Sequence, residues 1–100
     1  MTLAEKAGKP ESATRIMTIV NKRGLHARAS ARFVEMAGGF DAAIEVEKDG
    51  VRVGGTSIMG LMMLAASPGC SIAVHASGSE AEAALDALEE LVSSGFGEEN

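Results

Sequence analysis

The residue in this chain with the best surroundings for chemistry is His26. It stands where a basic turn, Asn21, Lys22, Arg23, Gly24, gives way to Ala27, Ala31, Val34 and Ala37 at spacings of three and four, with Phe33 beside them. That spacing predicts a helix burying one stripe. A helix start offers unpaired backbone N–H groups and the positive end of the dipole, so an anion placed there is stabilised. A ring nitrogen of His26 is then free to act as a nucleophile near neutral pH. Arg28 follows two residues on, with Arg23 and Arg32 nearby, and guanidinium pairs well with phosphate oxygens. Nucleophile and phosphate cradle would coincide. Local physics leaves a blander alternative open, in which His26 is only a polar residue at a helix start and the arginines are a solvated face. The other histidine, His75, falls on the wet face of a strand with no acid or base beside it in sequence, and it is assigned no role.

The charge distribution points to the same stretch. The net charge is -5 over 100 residues, but all nine basic residues lie at or before Arg52, with seven acids among them, and positions 53 to 100 hold seven acids and no base. Between Ser12 and Val34, a window holding Arg15, Lys22, Arg23, Arg28 and Arg32, there is no acid at all. A globally acidic protein can thus present a local basic face to phosphoryl groups and acidic partners, with the later acids read as the solvated far side.

Composition removes other chemistries. Cys70 is alone and cannot close an intrachain disulfide, and with only His26 and His75 to join it no zinc-ligand spacing can be assembled. No metal and no cofactor is expected. The chain has no Trp or Tyr and three Phe, too few for a base-stacking platform, and its acidity adds to the case against nucleic acid. No apolar run approaches the roughly 20 residues of a membrane span, and the first residues lack a signal-peptide core. The expectation is a cytoplasmic protein with no direct membrane binding.

The elements that must position His26 follow from periodicity. Residues 1–13 show no sustained period and are expected to form a flexible N-terminal tail. Thr14 to Val20 is rich in β-branched residues and predicts a strand. After the His26 helix, closed by Gly38 and Gly39, Ala42, Ile44 and Val46 alternate with Ala43, Glu45 and Glu47. Asp49 and Gly50 then form the strongest hairpin dipeptide, leading to Val51–Val53. Thr56 or Ser57 caps a short apolar helix through Leu64, Ile72, Val74 and Ala76 mark a fourth strand, and Ser77 or Ser79 caps a last helix with Ala81, Ala84, Leu85, Leu88, Leu91 and Val92 on one stripe. The order βαββαβα predicts an α+β domain at 14–94, an antiparallel sheet covered on one face by helices, followed by a C-terminal tail at 95–100.

Two separated motifs carry a resemblance. Gly24, Leu25, His26, Ala27, Arg28, with Phe33 and Val34, resemble the phosphorylation-site motif of HPr, the histidine-containing phosphocarrier family of the bacterial phosphoenolpyruvate-dependent phosphotransferase system. Ser57, Ile58, Met59, Gly60, Leu61, Met62 resemble that family's regulatory serine segment. The resemblance implies an HPr-like open-faced β-sandwich of four antiparallel strands and three helices. It implies that His26 accepts a phosphoryl group on Nδ1 from phosphorylated enzyme I and passes it to an enzyme IIA-type protein. Arg28 and the backbone N–H groups of Ala27 and Arg28 would hold the phosphoryl oxygens. Ser57 would be phosphorylated by HPr kinase/phosphorylase, and Ile58, Met59 and Met62 would help contact partners. One departure stands in the motif: the proline that usually follows the arginine is Ala29 here. The expected role is a monomeric relay for sugar uptake or nitrogen-related regulation. A regulatory interaction module of the same fold is the alternative. An enzyme using His26 as general base is disfavoured because no acid lies in the local segment to orient the ring.

Overall fold

Strand periodicity and turn chemistry build the scaffold of this computed structural model, which describes residues 12–98. β1 (Ser12–Thr18), β2 (Ala43–Lys48), β3 (Val51–Gly54) and β4 (Ser71–Ser77) form one antiparallel sheet in the order β1-β4-β2-β3. Alternation puts Ile44, Val46, Ile72, Val74 and Ala76 on the buried face. Against that face lie α1 (Ala27–Gly38), α2 (Ile58–Met63) and α3 (Ala81–Ser93). The expected α+β architecture, one sheet with helices on one face, is the observed one. The core joins Met17, Ile19, Phe33, Leu61, Leu85, Leu88 and Val92 to the sheet residues.

Turn residues sit where their backbones require them. Asp49 and Gly50 both have positive φ, 52° and 82°, the geometry of a two-residue type I′ hairpin. Ser57 caps α2, its Oγ accepting from the Gly60 N–H at 2.9 Å. Gly39 closes α1.

Other expectations need correction. β1 begins at Ser12, two residues before the predicted strand, so Ser12 and Ala13 pair with Ser77 and Ala76 of β4 instead of belonging to a tail; the rest of the expected tail, residues 1–11, lies outside the described residues. Neither Ser77 nor Ser79 caps α3. Its N-cap is Glu80, with no side-chain cap bond, because Ser79 Oγ donates to Asp41 Oδ2 and Glu80 Oε1 accepts from the Asp41 N–H, both at 2.6 Å. The start of α3 is thereby tied to the loop entering β2. Of the segment expected as a C-terminal tail, Gly95–Gly97 instead turns as a 3-10 helix and buries Phe96 completely; residues 99–100 lie outside the described residues.

Candidate functional site

The entry to α1 is fixed by a glycine. Gly24 has φ +63°, and a Cβ there would overlap the carbonyl oxygen of Ala66, so only glycine lets the turn lie against the segment leaving α2. Leu25 N–H donates to that same carbonyl at 3.0 Å, and Asn21, fully buried, donates from Nδ2 to the Gly24 carbonyl at 2.8 Å. These contacts hold His26 at the N-cap of α1.

As a cap, the imidazole does what Ser or Asp does elsewhere. His26 Nδ1 accepts from the backbone N–H of Arg28 at 3.3 Å, a long bond that leaves its lone pair weakly engaged. A backbone N–H can only donate, so Nδ1 is the unprotonated nitrogen and the neutral ring carries its proton on Nε2. Nε2 meets the Glu98 carboxylate, 2.5 Å from Oε2. His26 and Glu98 side chains are 16% and 14% exposed, so the pair is largely shielded from water and open on the Nδ1 side. Burial pushes the Glu98 carboxyl up, but hydrogen bonds from His26 and Asn21, with the charges of His26 and Arg23, outweigh it and hold the group below the usual carboxylate range.

A cleft of about 260 Å³ opens here, lined by Arg23, His26, Arg28, Arg32, Gly97 and Glu98. Three of the arginines from the acid-free window therefore converge on His26. Arg15 does not: from the helix-facing side of β1 it pairs with Glu82, Asp86 and Glu89 of α3. The reading of the window as one basic face is corrected accordingly, and those acids, although exposed as expected, also pair with Arg15. Larger hollows occur, one of about 520 Å³ between α1 and α3 and one of about 360 Å³ on the open sheet face, but neither brings a free ring nitrogen to a helix start. Among the described residues no group of three or more His, Cys, Asp or Glu could hold a metal ion, and no helix is long and apolar enough to cross a membrane.

The second motif occupies the neighbouring helix. α2 packs against α1 and buries Leu61, while Ser57, Ile58, Met59, Met62 and Met63 stay exposed, Met59 at 70% and Met63 at 75%. The residue that sequence reasoning missed is Glu98. Its signal was Phe96, an aromatic between two glycines in an otherwise polar end. Glu98 also overturns the expectation that no acid orients the imidazole, which held only for the local segment.

His75 is likewise less isolated than its sequence neighbours suggested. The sheet register brings Glu45, Glu47, Arg52 and Thr14 around it on the open face. Thr14 Oγ1 lies 2.8 Å from Nδ1, and Glu47 Oε1, which also receives Arg52 Nη2 at 3.2 Å, lies 3.0 Å from Nε2.

The family described as "PTS HPr component phosphorylation site" matches residues 13–94. The phosphocarrier protein HPr of Cupriavidus necator is 44% identical over 81 residues, covering 81% of this chain and 91% of that protein. HPr of Neisseria meningitidis serogroup A is 48% identical over 80 residues, covering 80% and 90%. The crystal structure of HPr-C-His from Thermoanaerobacter tengcongensis superimposes with a TM-score of 0.83 at 44% identity, covering 88% of this chain and 99% of that one.

Proposed function

The chain belongs to the HPr family of phosphotransferase-system phosphocarriers, and on that premise we propose that it carries its phosphoryl group on His26 Nδ1. The supporting observation is the division of labour on the ring: Nδ1 accepts a weak backbone bond at a helix start while Nε2 faces a carboxylate. The donor is phosphorylated enzyme I and the acceptor an enzyme IIA-type protein. In the first transfer the Nδ1 lone pair forms a bond to phosphorus as the donor's nitrogen–phosphorus bond breaks, and that electron pair returns to the donor's imidazole. The amides of Ala27 and Arg28 and the Arg28 guanidinium bind the phosphoryl oxygens, as anions bind at helix starts. No metal is needed for these contacts.

Partner docking falls to the surface carrying Ile58, Met59 and Met62, since exposed methionine adapts to more than one partner. Ser57, exposed at the cap of α2, is the regulatory site for an ATP-dependent HPr kinase/phosphorylase. A phosphate there would add close to two negative charges next to that surface. The relay acts as a monomer. Glu98 removes the objection that no acid orients the imidazole for general-base catalysis; membership of a carrier family, not ring geometry, is what supports the relay reading over an enzyme.

The test is incubation with enzyme I and phosphoenolpyruvate. The expected product is an acid-labile adduct that His26→Ala abolishes. An adduct persisting in the variant, or none in the wild type, would sink the assignment. With HPr kinase and ATP an acid-stable adduct should form and disappear in Ser57→Ala.

A further inference from the structure

The family match ends at residue 94, and the carboxylate touching His26 lies beyond it. After α3 the chain passes through three successive left-handed residues, Gly95, Phe96 and Gly97, with φ of 69°, 59° and 71°. Phe96 is the anchor: its ring is wholly buried, and its carbonyl accepts from Arg32 Nη1 of α1. This reversal delivers Glu98 to the entry of α1, where Oε1 receives Asn21 Nδ2 at 3.2 Å and Oε2 meets His26 Nε2. A shielded carboxylate is costly unless its oxygens are paired, and both are paired with the segment that carries the nucleophile.

We propose that Glu98 is a positioning residue for phosphoryl transfer, holding His26 in the Nε2–H tautomer and balancing the charge its ring acquires. The proposal rests on the carrier reading of His26. In the resting ring the Nε2 proton is donated to Glu98, so the lone pair stays on Nδ1, over the Arg28 amide. When Nδ1 bonds phosphorus the ring keeps its Nε2 proton and becomes a phosphorylated imidazolium, and the fixed carboxylate stabilises that positive charge. When the phosphoryl group leaves, the electron pair returns to Nδ1 and the proton has not moved. This is the role a buried carboxylate plays behind a catalytic histidine elsewhere, orienting the ring without taking its proton.

The test uses the full chain with Glu98→Ala and Glu98→Gln, two substitutions that leave the Phe96 anchor intact. Nitrogen-15 NMR of His26 reads the tautomer, and the loading rate from phosphorylated enzyme I reads the transfer. Glu98→Ala is expected to turn the pure Nε2–H signature into a mixture of tautomers and to slow loading about tenfold or more, the range expected for losing a hydrogen bond to a charged group. Glu98→Gln, without the charge, should also load more slowly. A merely structural strap would change melting and leave the tautomer alone. An unchanged tautomer or an unchanged loading rate in Glu98→Ala overturns the proposal. A wild type that takes no acid-labile phosphoryl group sinks the carrier reading and this proposal with it, whereas a wild type that loads normally beside an equally fast Glu98→Ala sinks this proposal alone.

Discussion

Two histidines in this protein each face a glutamate with arginine nearby, and only one of them has the makings of a nucleophile. On the open sheet face, His75 has both ring nitrogens met by side chains, Thr14 on one and Glu47 on the other. Around His26 the glutamate takes one nitrogen, and the other meets only a long bond from a helix-start amide. The carboxylate pair is therefore not the distinguishing feature. What separates the sites is the second nitrogen: at His75 it is used up by cross-strand contacts, and at His26 it adjoins a cleft lined by Arg23, Arg28 and Arg32. Exposure differs in the same sense, with His75 and Glu47 side chains 25% and 34% exposed and the His26 pair about half that.

The strongest way to break this comparison is to exchange the fates of the two rings. His26→Ala should lose phosphoryl acceptance entirely, read as absence of the acid-labile adduct; a variant that still loads would mean the contrast has been drawn at the wrong residue. Next in size is Phe96→Ala, which empties a fully buried aromatic site and frees the strap. Denaturant unfolding should show a loss of about 3–5 kcal/mol, and a value near zero would mean that the strap does not anchor Glu98. Arg28→Ala should slow loading by about ten- to a hundredfold, as expected for charge-assisted contacts, while Arg52→Ala beside His75 should leave the rate alone.

A smaller effect compares the two carboxylates by acid titration. Glu98 titrates below its ordinary range for the reasons given above, and Glu47 does so through hydrogen bonds from His75 and Arg52. A carboxyl depressed in the folded state contributes stability that is present above its unfolded value, about 4.3, and is lost as pH falls through the lower folded value. Glu98→Gln should therefore flatten the loss of stability on acidification more than Glu47→Gln, because exposed pairs are better screened. Equal flattening would erase the distinction in shielding. The smallest expected change is His75→Ala, with a loading rate within about twofold of wild type and stability altered by about 0.5 kcal/mol or less.

How legible these sites were depends on sequence distance. The strand alternation around Val74, the Asp49–Gly50 turn, the Ser57 cap and the start of α1 are local patterns, and each was readable because the residues that decide it are neighbours in the chain. The partners of His75 were not, since Glu47 and Arg52 reach it only through strand register. Arg15 was misread for the same reason: its position within an acid-free run says nothing about α3, whose acids lie some seventy residues on. Glu98 is a further case, 72 residues from the ring it touches. The Gly95–Phe96–Gly97 reversal that brings it back looks, as composition, like the loose end of a chain.

The use of an imidazole as the cap of α1 carries an evolutionary consequence. Serine, aspartate and asparagine are the favoured caps of a helix, and proteins gain stability easily by adopting them. At position 26 that easy gain would leave the fold sound and the chain chemically mute. Selection for thermal robustness and selection for phosphoryl relay thus pull against each other at a single side chain, and a lineage released from the relay should drift toward the better cap first.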